Sequence, residues 1–129
     1  MLDLITYPGA PDGDLEAYLK PDTVHTAFAQ DLPEADRWLI AAEQRPITLQ
    51  ANTTPAGPPA WANRPSWAVI GTEDKVIPPA VLRSMAERAG STITEVDASH
   101  VSMVSRPDVA LGAILSAVVA FAEVDVTTR

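Results

Sequence analysis

Between residues 67 and 107 the apolar and polar positions fall into blocks that predict strand, helix, strand, helix. Residues 66–71 form a near-continuous apolar run, as expected of a strand covered on both faces, and they lead into Gly71-Thr72-Glu73-Asp74. Pro78 or Pro79 opens a helix with Val81, Leu82, Met85, Ala86 and Ala89 on one face, Arg83, Glu87 and Arg88 opposite, and Gly90 as its cap. Residues 92–97 give the second strand, which runs into Ala98-Ser99-His100. Pro107 then opens a last helix. Its large face is Leu111, Ile114, Leu115, Val118 and Ala122, while Ala113, Ala117 and Ala120 let another element approach closely.

The upstream pattern is weaker and predicts mainly helix. Residues 2–6 are compatible with a short strand, and Pro8-Gly9 and Pro11-Asp12-Gly13 follow as turns. A short helix is expected over residues 14–19, ended by Pro21. Pro21 in turn opens a helix marked by Val24, Ala27 and Phe28 at i, i+3, i+4. A further helix has Glu34 and Asp36 in its first turn and Trp38, Leu39 and Ala42 on one face; Pro46 stops it. A short helical piece is expected over residues 47–51. Residues 53–65 carry Pro55, Gly57, Pro58, Pro59 and Pro65 and form a stiff connection that Trp61 anchors. The expected division is a helical segment with its Pro-rich connection over residues 1–64, and a βαβα unit over residues 65–129.

Two parallel strands do not make a stable sheet by themselves, and parallel sheets need helices on both faces and more strands beside them. The fold class is therefore α/β. The chain is expected to be the C-terminal part of a larger fold, namely its last two parallel strands with flanking helices, preceded by a helical segment.

Composition narrows the function. The 129 residues are about one domain's worth of chain. No cysteine is present, which excludes disulfide and thiolate chemistry. A net charge of −8, with nine dispersed basic residues, argues against nucleic acid and against an anionic membrane surface. The most apolar run, residues 109–122, falls short of the roughly 20 residues that cross a bilayer. Neither a basic n-region nor a long apolar h-region follows Met1, so a soluble, cytoplasmic protein is expected.

Open α/β sheets place ligands at the C-terminal ends of their strands, where this chain offers Asp74 and His100. A carboxylate in such a loop is commonly a turn former, and a lone histidine is commonly structural. Together, however, the two suit a carboxylate that orients an imidazole. Asp97, on the strand end of His100 itself, is the rival acid, and Glu73 is expected to point away. His25 reads as packing or surface. With Asp22 it makes at most two ligands, so no metal site is expected. Ser99 and Ser102 read as loop hydrogen-bonders. Trp38, Trp61 and Trp67 read as anchors, with Phe28 and Trp38 as the lining of an apolar substrate pocket in a second reading.

Several pieces of the chain resemble a known family. They are Phe28-Ala29-Gln30-Asp31-Leu32-Pro33, Gln44-Arg45-Pro46, Pro59-Ala60-Trp61 and Pro65-Ser66-Trp67, then Gly71-Thr72-Glu73-Asp74 with Ile77-Pro78, Met85-Ala86-Glu87-Arg88, and Ser99-His100 with Pro107. In order and spacing they resemble the α/β-hydrolase superfamily, in its esterase-like branch of pyrethroid hydrolases, salicylate esterases and hydroxynitrile lyases. The resemblance implies that Asp74 is the acid and His100 the base of a catalytic triad, and that residues 1–64 match a cap and the returning connection. The implied substrate is a small carboxylic ester, with no cofactor; lysis and peroxidation share the same two positions. The family's nucleophile sits in a G-x-S-x-G elbow. The serines here are Ser66, Ser84, Ser91, Ser99, Ser102, Ser105 and Ser116, and none lies in that pattern. Hydrolysis by these residues alone is therefore expected to be absent or vestigial. The alternatives are a non-catalytic fragment or interaction module that completes its sheet with a second copy or with a separately encoded N-terminal half, and a truncated reading frame.

Overall fold

The computed structural model describes residues 1–127, which form two units, the first Met1–Pro59 and the second beginning at Ala60.

The first unit is built on an antiparallel sheet in the order β1 (Leu2–Ile5), β2 (Glu16–Leu19), β3 (Ile47–Thr48). The segment expected to be mainly helical thus carries a three-stranded sheet. Residues 2–6 do contain a strand, and the helix expected over residues 14–19 is strand β2. Leu15, Ala17 and Leu19 recur with period two, and pairing on both sides holds them extended. Leu2 faces Leu19 and Ile5 faces Glu16 on one side, while Ala17 faces Ile47 on the other. The long β1–β2 connection turns at Gly9 and Gly13, whose φ values of 78° and 81° favour glycine.

Asp14, expected to begin a helix, instead ties this loop down. Its carboxylate accepts from the Tyr7 hydroxyl at 2.8 Å and from the amides of Leu15 and Gln50 at 3.0 Å each. The expected piece over residues 47–51 is therefore split into β3 and a short helix α2 (Leu49–Thr53).

Between β2 and β3, Pro21 opens a helical turn, Pro21–Thr23, that widens into a π-turn over Val24–Phe28. Helix α1 (Glu34–Glu43) has Glu34 and Asp36 in its first turn, as expected. Beyond its end, the Gln44 side chain mimics a strand partner. It accepts from the Leu19 amide at 2.8 Å and donates to the Leu19 carbonyl at 2.9 Å. The small core here is Ala17, Val24, Ala29 and Leu32.

In the second unit the expected βαβα order is present. A 3₁₀ turn (Ala60–Asn63) precedes β4 (Trp67–Gly71), α3 (Pro79–Arg88), β5 (Thr92–Val96), a short α4 (Ser102–Ser105) and α5 (Pro107–Thr127). Strands β4 and β5 pair in parallel, from Trp67 opposite Thr92 to Gly71 opposite Val96. Among the described residues each strand has this one partner.

Gly90, at φ 65°, ends α3 in a Schellman motif: its amide donates to the Glu87 carbonyl and that of Ser91 to the Ala86 carbonyl. Leu82 and Ala86 face inward. Val81 and Met85, expected beside them, are exposed. Arg83 reaches across to Glu95 on β5 at 2.6 Å.

Helix α5 packs on the strands with its small side chains. Ala110, Ala113, Ala117 and Ala120 are half-buried, whereas Leu111, Ile114, Leu115 and Val118 are exposed, Ile114 by 60%. The large face expected to be buried therefore points outward. The alanines bring the helix close to the sheet, and the larger side chains, on another face of the helix, are left outward. Among the described residues no helix is long and apolar enough to cross a membrane.

Candidate active site

Strands β4 and β5 run in the same direction, so both of the loops that follow them emerge at one end of the sheet. The first loop bends back on Asp74. Its Oδ1 accepts from the backbone amides of Val76 at 2.8 Å and Ile77 at 3.0 Å, which is the usual way an aspartate organises a turn. The second oxygen is thereby aimed at the loop after β5, where His100 Nδ1 lies 2.8 Å from Asp74 Oδ2. Asp74 is 6% exposed, and the imidazole retains 28% of its side-chain surface. Because a carboxylate only accepts, Nδ1 carries the proton in this contact. In the neutral ring the basic nitrogen is then Nε2.

The two loops also hold each other through the backbone. The amides of Thr72 and Glu73 donate to the carbonyls of Val96 at 2.8 Å and Ala98 at 3.0 Å. Ala98 and Ser99 are buried where the second loop crosses the end of β4.

Of the residues singled out from the sequence, Asp74 and His100 are brought together. Asp97 is exposed and accepts from the Thr72 hydroxyl at 2.9 Å, so it is Asp74 that meets the imidazole. Glu73 is exposed, and its amide serves the loop contact with Ala98. Ser99 is fully buried and its hydroxyl accepts from the Val101 amide at 3.4 Å, while Ser102 is buried at the start of α4. Asp22 and His25 lie in the first unit, where the His25 ring packs edge-on against Trp38 with centroids 4.3 Å apart. Trp61 carries Arg88 over its ring at 5.5 Å, and Trp67 meets Phe121 at 6.3 Å. Among the described residues no group of three or more His, Asp or Glu side chains is placed to hold a metal ion.

A recess of about 380 Å³ opens beside β5, lined by Thr72, Glu95, Val96, Asp97, Arg106 and Val109. Neither Asp74 nor His100 lines it. Its guanidinium is already engaged: Arg106 donates to both oxygens of Asp108, which raises its own pKa and lowers that of Asp108.

One residue of this end escaped the sequence reading. Gly71, the last residue of β4, lies directly under the Ala98–Ser99 backbone. A glycine closing an apolar strand just ahead of a carboxylate loop was the available signal, since such glycines mark places where another backbone approaches.

No curated protein matches the chain. Residues 2–113 match a family model described as the alpha/beta hydrolase family, and with that match spanning most of its length the chain belongs to this family.

Proposed function

We propose that Asp74 and His100 are the acid and the base of a serine-hydrolase triad, in an esterase-like hydrolase acting on a small carboxylic ester. The observation that carries this is the 2.8 Å contact between a buried carboxylate and Nδ1 of a part-exposed imidazole. In this assignment Asp74 holds the ring in the Nδ1–H tautomer, and Nε2 takes the proton of a serine hydroxyl and later returns it to the leaving alcohol. The first unit, with its small sheet and helices, is the cap of this reading.

None of the serines in residues 1–129 lies in a G-x-S-x-G elbow, and Ser99 and Ser102 are buried. The nucleophile is therefore supplied from outside these residues, and by themselves they turn over no ester. The purified chain should take no fluorophosphonate label. Combined with a polypeptide that carries the preceding strands and elbow, it should hydrolyse an aryl ester in a reaction that His100→Ala abolishes. Labelling of a serine within residues 1–129, or turnover indifferent to His100→Ala, would sink the proposal.

A second reading, a non-catalytic module that completes its sheet with another chain, is favoured by the pairing of β4 with β5 alone among the described residues and by the outward apolar face of α5. Size-exclusion chromatography separates the two: a monomer argues against this second reading, and a defined dimer or complex supports it.

A further inference from the structure

We infer that Gly71 is a positioning residue: the absence of a side chain there lets the loop carrying His100 lie across the end of β4, within reach of Asp74. This rests on the acid–histidine reading and concerns what sets its geometry.

Gly71 is paired with Val96, so its Cα is fixed by the sheet. A Cβ built on it would lie 2.5 Å from the Ala98 carbonyl oxygen, and closer still to that of Ser99. Both obstacles are backbone atoms, which cannot swing aside as a flexible side chain can. Ordinary contact begins at 3.4 Å, so a methyl group would have to push the Ala98–Ser99 peptide away by about 0.9 Å (3.4 − 2.5).

His100 is the next residue. Directed along the contact, a displacement of that size carries the 2.8 Å separation of Nδ1 and Oδ2 to about 3.7 Å, beyond hydrogen-bond range. The same peptide supplies the carbonyl that accepts from the Glu73 amide, so that loop-to-loop bond lengthens as well. The φ of Gly71 lies outside the left-handed region, so close approach rather than backbone freedom is what calls for glycine here.

The test is a long-range ¹H–¹⁵N NMR correlation of the His100 imidazole in the whole chain, at a pH where the ring is neutral. The wild-type ring should show the Nδ1–H tautomer. In Gly71→Ala that signature should disappear, and hydrogen exchange at the Glu73 amide should accelerate roughly tenfold or more, while the circular dichroism of the chain is retained. Ile70→Ala, which removes buried volume from the same strand and adds nothing under the loop, should weaken the fold yet keep the tautomer.

Loss of the signature in Ile70→Ala as well would overturn the inference, because the ring state would then follow stability alone. Retention of the Nδ1–H tautomer in Gly71→Ala would also overturn it. So would a Gly71→Ala chain that does not fold, since the inference requires the loop and not the fold to give way. A wild-type ring lacking the Nδ1–H tautomer would overturn the acid–histidine reading itself, which separates that failure from the others.

Discussion

Asp74 can be perturbed in two ways that separate its two oxygens. Asp74→Ala removes the acceptor of the Val76 and Ile77 amides together with the partner of His100, three contacts of 2.8, 3.0 and 2.8 Å. Each hydrogen bond to a charged group contributes about 1.5–3 kcal/mol when buried, and the two amides belong to half-buried residues, so the lower end applies. With partial compensation by water, a loss of about 3 kcal/mol follows for Ala. Asp74→Asn keeps an oxygen for both amides. Its NH₂ replaces Oδ2, and His100 can answer by moving its proton to Nε2 and accepting at Nδ1, so about 1 kcal/mol is lost. With an m-value of about 1–3 kcal/mol/M in urea, the midpoints of the two variants should differ by roughly 1 M. The assay is a urea titration followed through amide NMR signals of β4 and β5, which isolates the second unit. If Asn and Ala destabilise equally, the turn-organising role of Oδ1 is wrong. If Ala falls within about 0.5 kcal/mol of wild type, the whole carboxylate account fails.

Two more perturbations reach other parts of the chain. In the first unit, the hydrogen bond from the Tyr7 hydroxyl holds Asp14 below its ordinary carboxyl range and pushes the Tyr7 phenol up. A lowered acid stabilises the fold above its ordinary value and loses that contribution as pH falls through the lowered one; a raised phenol does the reverse at alkaline pH. Amide signals of β2 should therefore report weakening below about pH 4 and above about pH 10, and Tyr7→Phe should soften both limbs. An acid limb unchanged in Tyr7→Phe would refute this. On α5, Ala117→Leu should cost about 1–3 kcal/mol by forcing bulk against the strands, whereas Leu115→Gln on the outward face should change thermal stability little and improve solubility. Equal effects in thermal denaturation would mean the helix faces are misassigned.

What was legible in the sequence followed from periodicity and punctuation. The run up to Gly71, the amphipathic stretch closed by Gly90 and the second strand all carried long signals, and they placed Asp74 and His100 at neighbouring strand ends. Strand β2 was misread although Leu15, Ala17 and Leu19 alternate, because Asp14 and Pro21 look like helix punctuation; the competing fact is tertiary pairing with β1 and β3 on both sides. β3 has two residues, too few for any pattern. On α5 the rule that large apolar residues face inward lost to close approach. A helix that lays alanines on a sheet leaves its leucines and valines on the far side, and no count of hydrophobic positions reveals which stripe meets the strands.

The site was legible in its members and not in its construction, and the construction limits what each part can contribute. Asp74 is oriented by amides two and three residues along its own loop, which engage Oδ1 and leave Oδ2 for His100. His100 is placed by backbone bonds between the two loops and by the room above Gly71. The contacts that orient Asp74 and tie the two loops together lie within residues 71–100. A carboxylate–imidazole pair held at 2.8 Å has its relative geometry set by these two loops. In the proposed triad the nucleophile would then determine whether catalysis occurs, and the two loops would hold the base in the Nδ1–H tautomer.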